Sequence, residues 1–173
     1  PPGAFPGIHP TRQETASSAT QPHLRSPLRR LDPSRPNEGD LDEKTVDPAA
    51  GGGPGEDTAD YSAAGAAVLV NLSARTASGG AGADTLVAIE NAVGSGFADQ
   101  ILGSAGPNKI FGGLGNDQLI GNSGDDRILG GGGDTLQGNA GSDSLLGGSG
   151  NDSASGGIGI DSCEAEARLA CEF

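Results

Sequence analysis

The residues of this chain that can do chemistry are aspartates, and they recur at a fixed interval. In GGLGNDQLI, residues 112–120, three glycines and Asp117 precede an apolar pair. From Gly94 the chain realigns with itself every nine residues: GSGFADQIL, GSAGPNKIF, GGLGNDQLI, GNSGDDRIL, GGGGDTLQ, GNAGSDSLL, GGSGNDSAS and GGIGIDSCE, the last ending at Glu164. Only the unit at Gly130 is short, by one residue. The sixth position holds Asp99, Asp117, Asp126, Asp134, Asp143, Asp152 and Asp161, with Asn108 as the exception. A carboxylate beside a glycine-rich turn offers hard oxygen donors, the side chain's own and bare backbone carbonyls. Ca²⁺ accepts six to eight such ligands in flexible geometry, whereas Mg²⁺ demands a stricter octahedron and dehydrates reluctantly. Zinc would need a Cys/His cluster, and both histidines, His9 and His23, lie far from the repeats. Catalysis finds no support: the chain has no HExxH, no GxSxG and no repeat histidine to act as a base.

To position these acids, each nonapeptide divides into a six-residue turn and a three-residue strand. Glycines at the first, second and fourth positions permit positive φ and close backbone approach. The middle strand residue, at the eighth position, turns inward: Ile101, Ile110, Leu119, Ile128, Leu136, Leu145, Ala154 and Cys163. Two units make one coil, so units i and i+2 stack about 4.8 Å apart. Asp99, Asp117, Asp134 and Asp152 then form one column, and Asn108, Asp126, Asp143 and Asp161 a second. Uncompensated, such columns repel, and a hard divalent cation removes the repulsion. The short unit at Gly130 predicts a displaced carboxylate at Asp134. At the ninth position Leu102, Phe111, Ile120, Leu129 and Leu146 face outward, an apolar stripe for a protein partner or for a covering segment of the same chain.

The GGxGxDxUx units resemble the hemolysin-type, or RTX, calcium-binding repeats over residues 52–164. The resemblance implies an all-β parallel β-roll, a right-handed β-solenoid, with several Ca²⁺ ions between turns i and i+2, held by sixth-position side chains and turn carbonyls. Carried onto this sequence, the side-chain ligands are Asp117, Asp126, Asp134, Asp143, Asp152 and Asp161, with Asp99 and Asn108 in departing units. Phe97 replaces the fourth-position glycine in one of these, and Asn108 lacks a charge. Upstream, GGPGEDTAD (52–60) and GGAGADTLV (79–87) place Asp57 and Asp84 at the sixth position, as further ligands or as solvated turn acids. Between them VLVNL suggests a longer strand in an irregular coil, and AIENAV (88–93) breaks the register.

Composition divides the chain near residue 50. Residues 1–50 hold nine of eleven prolines and, lacking any sustained period, read as a disordered Pro-rich tail or linker, with Arg25, Arg29 and Arg30 as a solvated cluster or a basic patch. Residues 51–93 read as irregular coils with degenerate repeats, 94–164 as the β-roll, and 165–173 as a C-terminal cap. With 34% hydrophobic residues and no Trp, there is little material for a large core. The net charge of −13, with no basic run, argues against nucleic acid. No apolar stretch is long enough to span a bilayer, and the N-terminus shows no signal-peptide pattern, so the chain reads as a fragment or processed product. Cys163 and Cys171 are the only cysteines, expected as a disulfide over the open end of the roll rather than as free thiols, because calcium saturation suggests an oxidising, extracellular setting. The leading expectation is a noncatalytic calcium-binding module, secreted or at the cell surface. A structural or adhesive spacer and the severed repeat domain of a secreted enzyme are the alternatives.

Overall fold

A computed structural model describes residues 44–46, 51–80, 82–169 and 171. Its elements are all strands: β1 (Lys44–Val46), β2 (Asp57–Asp60), β3 (Val68–Asn71), β4 (Thr76–Gly79), β5 (Asp84–Thr85), β6 (Asn91–Val93), β7 (Gln100–Leu102), β8 (Lys109–Phe111), β9 (Gln118–Ser123), β10 (Arg127–Gly131), β11 (Thr135–Ala140), β12 (Ser144–Gly148), β13 (Ser153–Ile158), β14 (Ser162–Glu164) and β15 (Ala167–Leu169). They form two sheets, ordered β1-β2-β6-β8-β10-β12-β14 and β15-β13-β11-β9-β7-β3-β4-β5. From β6 onward successive strands alternate between the sheets, so each pair of units completes one coil of a parallel β-solenoid. Register is strict: Ile101 lies opposite Leu119, Leu119 opposite Leu136, and Leu136 opposite Ala154.

The core is a consequence of two-residue alternation within such short strands. Ile101, Ile110, Leu119, Ile128, Leu136, Leu145, Ala154 and Cys163 point inward and are almost wholly buried, one side chain per strand. The ninth-position residues Leu102, Phe111, Ile120 and Leu129 are half-buried, and Leu146 is exposed. Among the described residues no helix is long and apolar enough to cross a membrane.

Three features differ from the sequence expectation or add to it. First, AIENAV does not break the register. Asn91–Val93 is a strand, Ala92 sits opposite Ile110 and is completely buried, and the nine-residue spacing therefore runs back past Gly94. A small core residue and the missing turn glycines conceal the repeat there. Second, VLVNL pairs in parallel with β7 but then reverses: β3, β4 and β5 are antiparallel. Arg75, at φ 59°, makes the reversal, and the Ala74 N–H donates to Asn71 Oδ1 at 2.7 Å. The hairpin covers the edge that the last parallel strand would leave open. Third, Lys44–Val46, within the segment read as tail, pairs in parallel with β2. The rest of residues 1–50, including His9, His23, Arg25, Arg29 and Arg30, lies outside the described residues. At the other end β15 pairs with β13, and a Cys163–Cys171 disulfide, Cα–Cα 5.8 Å, ties the chain back onto the final coil.

Candidate metal centre

Stacking places the sixth-position side chains in two continuous ladders. On the eight-stranded side the backbone N–H of Asp99 donates to Asp117 Oδ1, that of Asp117 to Asp134 Oδ1, and that of Asp134 to Asp152 Oδ1, at 2.8, 2.8 and 2.7 Å. The Val68 N–H starts this ladder on Asp99 Oδ1, and Glu166 Oε2 ends it by accepting from Asp152. On the other side the N–H of Asn108 donates to Asp126, Asp126 to Asp143, and Asp143 to Asp161, at 2.8, 2.8 and 2.9 Å. Asp57 heads this side, its N–H donating to Glu90 Oε2 at 3.0 Å. The expected displacement of Asp134 is absent from its ladder contacts, which match those of its neighbours.

The second carboxylate oxygen separates the candidates. Oδ2 of Asp117, Asp126, Asp134, Asp143, Asp152 and Asp161 is buried and accepts no hydrogen bond. Each of these residues is at most 3% exposed, so the oxygen is cut off from water as well. Asp57, Asp99 and Asn108 are equally buried, but their side chains are satisfied. The Gly53 N–H donates to Asp57 Oδ2 at 2.7 Å, the Ser95 N–H and Oγ both donate to Asp99 Oδ2, and the Ser104 N–H donates to Asn108 Oδ1 at 2.7 Å. The Asn108 Nδ2 donates in turn to the Glu90 carbonyl. Asp84 stands off both columns, half-buried in β5, where the Tyr61 hydroxyl donates to it at 3.3 Å.

Burial is the largest influence on these carboxyls, and it disfavours the charged form. It pushes Asp117 up to about 6 and Asp126 up to about 7 from an ordinary 3.8, against the opposing pull of the N–H donated by the preceding coil. The neighbouring carboxylates Asp134 and Asp143 add to the upward shift. Asp134 and Asp143 are themselves raised, again by burial first. The first-position glycines explain how the oxygen fits: a Cβ at Gly112 or Gly121 would lie 2.4 or 2.2 Å from Oδ2 of Asp117 or Asp126. Among the described residues no three His, Cys, Asp or Glu side chains converge, so a site here draws on carboxylates of adjacent coils and on turn carbonyls. That oxygen-only set fits a hard cation of adaptable coordination and does not fit zinc.

Two ladder members escape a reading by motif. Glu90 stands nine residues before Asp99, so the period itself locates it once glycines are not demanded. Glu166 stands fourteen residues after Asp152, off the period, and only the fold brings it into line.

A parallel solenoid of glycine turns around buried, stacked aspartates defines a β-roll repeat protein. The family described as RTX calcium-binding nonapeptide repeat (4 copies) matches residues 76–88, 93–128 and 128–163, and the repeat region of this chain belongs to it. The chain therefore carries a calcium-binding repeat module. Thr76–Gly79 and Asp84–Thr85, within the first match, pair antiparallel and are not strands of a roll coil. No curated protein matches the chain.

Proposed function

We propose that this chain is a noncatalytic extracellular module that holds several Ca²⁺ ions between its stacked turns and folds on binding them. The observation that carries the reading is the set of six buried Oδ2 atoms without partners. An unsatisfied buried polar atom costs about 1–3 kcal/mol, and more when charged, so six in two columns weigh heavily against an empty fold. Asp117 with Asp134, Asp134 with Asp152, Asp126 with Asp143, and Asp143 with Asp161 present pairs of carboxylates from adjacent coils. When bound, calcium supplies the positive charge these pairs lack. The unfolded chain has no preformed site, so binding free energy becomes folding free energy. The repeat region has no histidine, and its dense carboxylates are accounted for by the ladders, which supports a noncatalytic role. The disulfide supports an oxidising compartment, where millimolar calcium would saturate even the weak sites typical of extracellular modules.

Equilibrium dialysis of the full chain against CaCl₂ tests this directly. About four ions per chain should bind between roughly 0.1 and 1 mM, with Mg²⁺ a poor competitor. Absence of binding, or equal binding of Mg²⁺, would contradict it.

A further inference from the structure

The turns with a lone Oδ2 and those without differ in one backbone angle. The second residues of the open turns are Gly113, Asn122, Gly131, Asn139, Gly148 and Gly157, and all have positive φ, from 77° to 128°. Gly53, Ser95 and Ser104 occupy the same position before Asp57, Asp99 and Asn108, and none has positive φ. In these three turns the second-residue N–H points into the turn and donates to the sixth-position side chain. In the open turn of Asp117 the Gly113 N–H is directed to the Gly130 carbonyl of the next coil instead, at 3.2 Å.

The residue types explain the split. Left-handed backbone costs glycine nothing and asparagine little, whereas serine avoids it because its Cβ crowds the following carbonyl. Gly53 could adopt it but precedes Pro54, which biases the residue before it toward extended conformations. The Ser95 hydroxyl adds to closure, donating to both carboxylate oxygens of Asp99 at 2.8 and 3.0 Å.

We propose that the second residue of each nonapeptide is a gate for calcium. A left-handed residue leaves the sixth-position carboxylate free to take an ion. A residue of negative φ closes the turn with its own N–H, so that Asp57, Asp99 and Asn108 hold none. The gate rests on the reading of the six open aspartates as calcium ligands.

Native mass spectrometry of the full chain in CaCl₂ counts the ions. Ser95→Gly and Ser95→Asn should each add one ion to the wild-type number. Ser95→Ala removes the hydroxyl but keeps a residue that avoids positive φ, and should add none. Asn139→Ser reads the gate in the opposite direction and should lose one ion; Asn139 already carries a Cβ, so serine brings no new clash. Unchanged counts in Ser95→Gly and Ser95→Asn, or in Asn139→Ser, overturn the gate, as does a gain in Ser95→Ala equal to that in Ser95→Gly. A wild-type chain that takes up no calcium overturns the underlying reading, and the gate with it.

Discussion

Each aspartate of the open turns divides its two oxygens between two tasks. Oδ1 accepts the N–H of the preceding coil and holds the stack in register, while Oδ2 waits without a partner. Asparagine at the same position keeps the first task and abandons the second. Asp143→Asn should therefore raise the calcium midpoint for folding about tenfold or more while increasing β structure in chelator, because a buried charge is gone. Circular dichroism under both conditions checks this pair of opposite shifts. Asp134→Asn should move the midpoint by a similar factor, since the shortened turn leaves Asp134 aligned with Asp117 and Asp152. Acidity should act in the same sense as neutralisation. Asp117 and Asp126 are raised to about 6 and about 7 in the fold, so the folded, metal-free chain binds protons that the unfolded chain releases. Their contribution to stability is full below an ordinary aspartate value and is lost as pH rises through about 6 to 7. Metal-free β content should increase from pH 8 to pH 4, and the calcium midpoint should rise on acidification as protons compete for the oxygens. A metal-free spectrum independent of pH would count against the burial of these groups.

At the scale of one coil, the strand supplies an inward apolar side chain and the turn supplies everything else. Leu119 is completely buried between Ile101 and Leu136, so Leu119→Ala should cost about 2–5 kcal/mol in denaturant unfolding of the calcium-loaded chain. Leu114, in the turn and 71% exposed, is the contrast: Leu114→Ala should change stability by no more than about 0.5 kcal/mol. The inward column could be read from the sequence because large apolar residues recur every nine positions from Ile101 to Ile128 and, after the one-residue deletion, at Leu136 and Leu145. The coil at Ala92 could not, because its core residue is small and its sixth position is a glutamate rather than an aspartate after glycines. The turns show the reverse limit. Their glycines announce themselves, but which carboxylate is free depends on the sign of one φ angle, and Gly53 and Gly113 are the same residue with opposite outcomes. The distinction at Ser95 and Ser104 was present in the sequence as a residue type that resists left-handed backbone. It acquires meaning only beside the hydrogen bond that it permits.

At the largest scale, the described residues from Asp57 onward form a stack of coils with a different device at each end. The antiparallel β3–β4–β5 hairpin closes the eight-stranded sheet at one end, and β15, Glu166 and the Cys163–Cys171 bond close the other. Reduction of that bond, whose cysteines are 8 residues apart, should lower stability by about 2–3 kcal/mol on the chain-entropy model without abolishing the response to calcium. The parallel stack was legible because one period governs it, and so was the Cys163–Cys171 bond at the C-terminal end, from the two cysteines alone; the antiparallel hairpin, β15 and Glu166 were not, since each departs from that period where the stack must stop. Between the ends, one thin file of apolar side chains on each sheet stands against columns of buried carboxylates, and this imbalance makes the fold conditional. Far-ultraviolet circular dichroism of the full chain, first in chelator and then through a CaCl₂ titration into the millimolar range, tests that condition most directly. The chain should show a largely disordered spectrum in chelator, a cooperative gain of β structure with calcium, reversal when chelator is restored, and little effect of equal Mg²⁺. A chelated sample with the same β spectrum as the calcium-loaded one would contradict this.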